Sequence, residues 1–249
     1  MYVIINTGSE VMKKITIIIM ASILGILLVL AGLSTGKVLT SEIDCYQMKE
    51  NKKVKSINEF KQHENVVLLG DSITEIYPLE EIYTDLPIIK SGMSGYTTND
   101  ILEKLNSLLY EYNPSKVIIL IGTNDIMEDE SEEKIEETIN NIKKITKKIK
   151  KNRKNTQIYI ESIYPVNRSM KKEMVANRTN ETIQKINKEV KLYCKENDIT
   201  YINMYDELTD EEGNFNKKYT YDGLHPNTLG YAKITRILMP YIFEGYEMK

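Results

Sequence analysis

The chain has 249 residues, a formal net charge of −3, two cysteines and two histidines. A nearly neutral balance, with no basic run interleaved with aromatics, argues against a nucleic-acid partner. Cys45 and Cys194 stand in no Cys-x-x-Cys pair and near no His at ligand spacing, so structural zinc and thioredoxin-like chemistry have no support.

Residues 1–14 read as a short cytoplasmic N-terminus, with Met12 an alternative start to Met1. Residues 15–33 (ITIIIMASILGILLVLAGL) carry no charge. At about 1.5 Å per residue they just span a ~30 Å hydrocarbon core. Lys13 and Lys14 before them place the remainder outside. The expectation is a single-pass transmembrane helix that anchors the chain at the cell membrane with its domain outside. The alternative is a signal segment cleaved near Ser34-Thr35-Gly36, giving a secreted product, although the apolar run is long for a signal core. Residues 34–64 are polar, with scattered Val54, Ile57 and Phe60, and read as a partly helical stalk or linker that includes Cys45 and a solvated His63. Cys194 falls four residues after Val190 on an apolar helical stripe, so a disulfide to Cys45 is disfavoured. Residues 65–249 remain for one α/β domain.

That domain opens with Val66-Val67-Leu68-Leu69-Gly70, a short apolar run suited to a strand covered on both faces. Asp71-Ser72 follows in the turn. Residues 75–83 read as a short helix or loop broken by Pro78, and 86–89 as a second strand. The loop Ser91 to Thr98 holds Gly92 and Gly95, which permit a tight turn with an exposed backbone N–H. Thr97 or Thr98 then caps a helix with Ile101, Leu102, Leu105, Leu108 and Leu109 on one face, and Asn113-Pro114 ends it. Residues 116–121 form a third strand, closed by Gly122-Thr123-Asn124-Asp125. A long helix from about Ser131 carries Ile135, Ile139, Ile142, Ile145 and Ile149 on one stripe. Its acidic start and lysine-rich end match the helix dipole. Residues 157–163 are a fourth strand, followed through Tyr164-Pro165-Val166-Asn167 by a helix with Ile183, Ile186, Val190 and Tyr193 inward. Residues 199–203 are a fifth strand. After a polar loop comes Tyr221-Asp222-Gly223-Leu224-His225-Pro226-Asn227, and a last helix carries Leu229, Ala232, Ile237, Leu238 and Tyr241.

Five strands alternating with helices imply an open parallel sheet with helices on both faces and right-handed crossovers, a three-layer α/β/α sandwich. Functional loops of such sheets gather at the carboxyl ends of the strands. Ser72, Gly95 and Asn124 follow the first three strands, and Asp222 and His225 precede the last helix, so all can meet at one edge. His225 can take the Ser72 proton and return it to a leaving alcohol, while Asp222 fixes the ring tautomer. The Ser72 and Gly95 N–H groups and the Asn124 amide are suited to holding an oxyanion. Each motif alone has a simpler reading, as a turn or a helix cap. Their joint occurrence, in order and at strand ends, gives the pattern its weight.

Gly70-Asp71-Ser72-Ile73-Thr74, Gly92-Met93-Ser94-Gly95-Tyr96-Thr97, Gly122-Thr123-Asn124-Asp125 and Asp222-Gly223-Leu224-His225-Pro226 resemble the four sequence blocks of the SGNH (GDSL-type) hydrolases, over about residues 66–240. The resemblance implies a flavodoxin-like fold with Ser72 as nucleophile, His225 as base, Asp222 as its orienting acid, and Ser72, Gly95 and Asn124 as the oxyanion hole. It implies no metal and no organic cofactor. Lys90-Ser91 stand where the family often has an Asn before the second block. The serine motif also differs from the Gly-x-Ser-x-Gly elbow, which disfavours the usual α/β-hydrolase arrangement.

No long lid insertion separates the blocks, so a shallow, open site is expected. That suits short acyl groups, acetyl above all, on small-molecule or glycan esters. The alternatives are an O-acyltransferase using the same residues, a lysophospholipase or thioesterase, and an inactive membrane-tethered binding protein.

Overall fold

The computed structural model describes residues 57–246. The expected anchor at 15–33, most of the expected stalk and Cys45 lie outside them. Among the described residues no helix is long and apolar enough to cross a membrane.

The described chain opens with α1 (Ile57–His63), β1 (Val66–Gly70), α2 (Ser72–Glu75) and α3 (Leu79–Ile82). It continues through β2 (Ile88–Gly92), α4 (Thr98–Leu108), β3 (Lys116–Leu120), α5 (Glu132–Asn152) and β4 (Gln157–Glu161). Then come α6 (Lys172–Val175), α7 (Asn180–Glu196), β5 (Thr200–Ile202), α8 (Met204–Leu208) and α9 (Thr228–Ile242). The five strands form one parallel sheet in the order β2-β1-β3-β4-β5. In that order the chain leaves β1 for one side of the sheet and later returns to the other. The switch point between β1 and β3 opens a crevice at their carboxyl ends.

Strand residues alternate between two cores. Val67, Leu69, Val117, Ile119, Ile158 and Ile160 face α4, α5 and α7. Val66, Leu68, Ile118, Leu120 and Tyr159 face α1, α8 and α9. Both faces are covered, which is why the strands read as unbroken apolar runs. The five isoleucines expected on the long helix are all buried, each stabilising the fold by roughly 1.5–3 kcal/mol relative to exposure. Thr97 caps α4 in a reciprocal capping box with Asp100, and Ser131 caps α5.

Several local expectations need correction. The second strand begins at Ile88, after Pro87, which has no N–H to donate, and takes in Ser91 and Gly92. The fourth strand stops at Glu161 and the fifth spans Thr200–Ile202. The last helix buries Tyr231, Ile234, Thr235, Leu238 and Ile242, whereas Leu229 is 54% exposed and Ala232 is exposed. Leu229 lies in the first turn, ahead of the packed stripe. Within the stretch read as linker, α1 packs through Phe60, which is fully buried against Phe243 and Tyr246. Lys116, at the start of β3, donates from Nζ to the Ile242 carbonyl at 2.9 Å, at the C-terminal end of α9. Cys194 is buried with a free thiol, and His63 is exposed.

Candidate active site

Ser72 is the first residue of α2, directly beyond β1. Asp71 caps that helix, its Oδ1 accepting from the Ile73 N–H at 2.9 Å. Ser72 Oγ lies 3.1 Å from His225 Nε2, and His225 Nδ1 lies 2.7 Å from Asp222 Oδ2. A carboxylate can only accept, so the proton sits on Nδ1 and leaves Nε2 free to accept from the serine hydroxyl. Asp222 Oδ1 accepts from the Leu224 N–H at 2.8 Å and the His225 N–H at 2.7 Å. Burial works to raise the Asp222 carboxyl, but bonds from the His225 backbone and ring and the Leu224 N–H outweigh it and hold the group below the usual range.

The loop that presents these two residues is cross-tied. Thr220 Oγ1 donates to the His225 carbonyl at 2.7 Å and accepts from the Gly223 N–H at 2.9 Å. Gly223 has φ +92°, and a Cβ there would lie 2.4 Å from the Asn167 carbonyl, so only glycine fits. Asn167 donates its N–H to the Gly223 carbonyl at 2.8 Å, and Lys171 donates to the Asp222 carbonyl at 3.2 Å. Asn227, not Asp222, caps α9. The Tyr221 ring, 51% exposed, stacks on the His225 imidazole with centroids 6.0 Å apart.

Gly95 and Asn124 follow the neighbouring strands β2 and β3, which flank β1. Gly95 adopts φ +79°, in a turn where Tyr96 donates to the Met93 carbonyl. Among the described residues the Gly95 and Ser72 N–H groups meet no acceptor. Asn124 Nδ2 donates one hydrogen to the Tyr96 carbonyl at 3.0 Å, and Asn124 Oδ1 accepts from Arg178 Nη2 at 2.9 Å. The second Nδ2 hydrogen remains for another acceptor. Asp125, in the same block, braces the start of α4 by accepting from the Thr98 N–H at 3.0 Å.

The sequence reading passed from Asn167 straight to the next helix and so missed residues 168–179, which carry Arg178. It also missed Thr220. A charged residue in a polar loop reads as solvated, and a threonine beside a tyrosine carries no pattern.

Asp71 and Glu161 lie buried beneath this surface. Burial pushes each carboxyl up to about 7, against opposing hydrogen bonds from Ile73 and Tyr164 respectively. Among the described residues no group of three or more His, Cys, Asp or Glu side chains gathers as a metal site would. Two concavities, of about 590 Å³ beside β5 and about 510 Å³ near Lys61 and Arg153, include none of Ser72, Gly95, Asn124, Asp222 or His225.

A doubly wound sheet with a serine, a histidine and an aspartate in hydrogen-bonded series at its switch point has the layout of a hydrolase. Residues 68–233 match the model of the GDSL-like lipase/acylhydrolase family, and the chain belongs to that family. It is 32% identical over 195 residues to an N-acylneuraminate cytidylyltransferase of Escherichia coli O18:K1:H7, a match covering 77% of this chain. The match covers only 43% of that relative, so the chain spans less than half its length. A solved structure from Streptococcus pneumonia, described as a platelet activating factor, is 31% identical with a TM-score of 0.64, covering 84% of this chain and all of the other. A GDSL-like lipase from Bacteroides thetaiotaomicron is 25% identical with a TM-score of 0.66, covering 74% of this chain and 90% of the other.

Proposed function

We propose that the protein is a serine ester hydrolase that removes short acyl groups, acetyl foremost, from carbohydrate hydroxyls. The observation that carries this reading is the Ser72–His225–Asp222 series, at 3.1 and 2.7 Å. As Ser72 Oγ attacks the ester carbonyl carbon, His225 Nε2 takes its proton and Asp222 stabilises the imidazolium. The Ser72 and Gly95 N–H groups and the Asn124 amide receive the oxyanion. Collapse expels the alcohol, protonated by His225, and leaves an acyl-serine. Water, deprotonated by His225, then attacks that ester and releases the acid and free Ser72.

The preference for short acyl chains is supported by the spacing of the four loop blocks, with no long lid insertion between them to wall a trough for a long chain. The carbohydrate alcohol is supported by the exposed Tyr221 ring beside His225, a flat apolar face of the kind sugars stack on. A relative named for N-acylneuraminate adds to that. The apolar segment 15–33 supports, from sequence alone, a domain tethered outside the cell membrane. Recovery of the full chain in the soluble cell fraction would count against that tether.

The test is hydrolysis of p-nitrophenyl acetate, butyrate and octanoate by the full chain beside Ser72→Ala. Acetate should be the fastest, and the variant should lose at least ~10³-fold in kcat. Turnover confined to octanoate would replace the short-chain reading with a long-chain one. No turnover of any ester by the folded protein would sink the hydrolase reading, and acyl transfer to an added sugar would redirect it to a transferase.

A further inference from the structure

Arg178 is buried at 1% exposure, and among the described residues no carboxylate is bonded to it. A guanidinium buried with no carboxylate bonded to it, and only the buried Asp71 carboxyl acting on it through space, is costly to keep, so its contacts need a reason. Its Nε donates to the Thr123 carbonyl at 2.7 Å, and its Nη1 donates to the Met174 and Val175 carbonyls at 3.1 and 3.0 Å. Nη2 donates to Asn124 Oδ1 at 2.9 Å. The backbone two residues earlier is strained: Ala176 has φ +54° and ψ −133°, a region that side-chain-bearing residues rarely adopt. The chain therefore turns sharply and unfavourably just where it aims this side chain inward.

An asparagine amide is nearly symmetric in shape, and turning it over exchanges an acceptor for a donor. For an oxyanion donor that exchange is ruinous, because Oδ1 would then confront the developing negative charge. Asn124 sits between a group that can only donate, Arg178, and one that can only accept, the Tyr96 carbonyl. Only one orientation satisfies both. We infer that Arg178 is a positioning residue, which locks the Asn124 amide with Nδ2 toward the reacting carbonyl and polarises that N–H through the bond to Oδ1. The inference rests on the reading of Asn124 as an oxyanion donor.

The test is a double-variant cycle of Arg178→Lys and Asn124→Ala in the full chain. It is read by p-nitrophenyl acetate turnover and by the rate at which a fluorophosphonate labels Ser72. In the labelling step the Oγ–P bond forms, fluoride leaves and His225 takes the serine proton, so it needs the serine and the oxyanion hole but no particular acyl specificity. Arg178→Lys should lower kcat on the order of 10–100-fold, less than the 10²–10³-fold of losing a donor outright, with KM little changed. The labelling rate should fall in parallel. In the Asn124→Ala background the same change should cost nothing further. An equal loss in both backgrounds, as a merely destabilised protein would give, overturns the inference. So does an Arg178→Lys protein as fast as wild type. A wild-type protein labelled at Ser72 that hydrolyses no ester overturns the substrate reading alone, and the cycle is then decided on labelling. An unlabelled wild type overturns both.

Discussion

Asp222 and Asp71 are both buried, and each is next in space or sequence to a member of the Ser72–His225 pair. Their surroundings differ in donors. Asp222 accepts from the Leu224 and His225 N–H groups and from His225 Nδ1. Asp71 accepts from the Ile73 N–H on Oδ1, while its Oδ2 meets no donor among the described residues. The first carboxyl is held below the usual range and the second is pushed up to about 7. Burial alone therefore does not set the charge; the count of N–H groups aimed at the oxygens does. The upper loop is built to keep an anion beside the imidazole. The layer beneath Ser72, where Glu161 is likewise pushed up to about 7, favours neutral carboxyls.

The largest expected effect breaks the donor-rich side. Asp222→Asn keeps the side chain's shape but removes the charge and the acceptor that fixes the His225 tautomer. Its kcat for p-nitrophenyl acetate should fall on the order of 10³–10⁴-fold, with the fold unchanged by circular dichroism. A fall below tenfold would show that the ionised carboxylate is dispensable.

The next effect tests the donor-poor layer through pH. The Glu161 carboxyl, with an ordinary value of 4.5, is raised in the folded protein. The folded state thus holds this proton where the unfolded chain has lost it. The stabilisation is fully present below about pH 4.5 and declines as pH rises toward 7. Glu161→Gln keeps an acceptor for the Tyr164 hydroxyl, now 2.6 Å from Glu161 Oε2, and cannot ionise. Its melting temperature should exceed wild type at pH 8 and lose that advantage at pH 5. The same offset at both pH values would refute the neutral-carboxyl reading. Asp222 works in the opposite direction. Its lowered value contributes stability above about pH 4, lost as pH falls further.

The smallest effect sharpens the contrast in the loop itself. Thr220→Val removes the hydroxyl that ties the His225 carbonyl to the Gly223 N–H. It should cost about 1–2 kcal/mol in urea unfolding. A loss of activity much larger than that would show that the loop ties set the position of the imidazole as well as its stability.

Much of this was legible in the sequence, for identifiable reasons. A strand buried on both faces must be apolar throughout, so Val66–Gly70 and Lys116–Leu120 stand out. The long helix shows its period through five isoleucines. The four loop blocks are short, so the candidate residues of each stand close together in sequence. The phase of the last helix was harder to read: Tyr231 and Thr235 are buried through ring and hydroxyl bonds that hydrophobic periodicity does not weigh. Phe60 was assigned to a polar stretch because its partners, Phe243 and Tyr246, lie at the far end of the chain. Arg178 was invisible for a similar reason. Two of its four carbonyl and amide partners, at Thr123 and Asn124, become recognisable only once the strands are side by side.

Phe60 and Lys116 also decide how the domain can be handled. Through them the described chain closes on itself: its first helix meets Phe243 and Tyr246, and the start of β3 meets the end of α9. Both described ends therefore sit at the amino edge of the sheet, while Ser72 and His225 lie at the carboxyl edge. Residue 246 can be joined to residue 57 by a short linker, and new ends cut at the exposed turn around Glu211 and Glu212, without rerouting a strand. A cargo protein spliced at the old ends leaves the Ser72–His225 face open to the solvent.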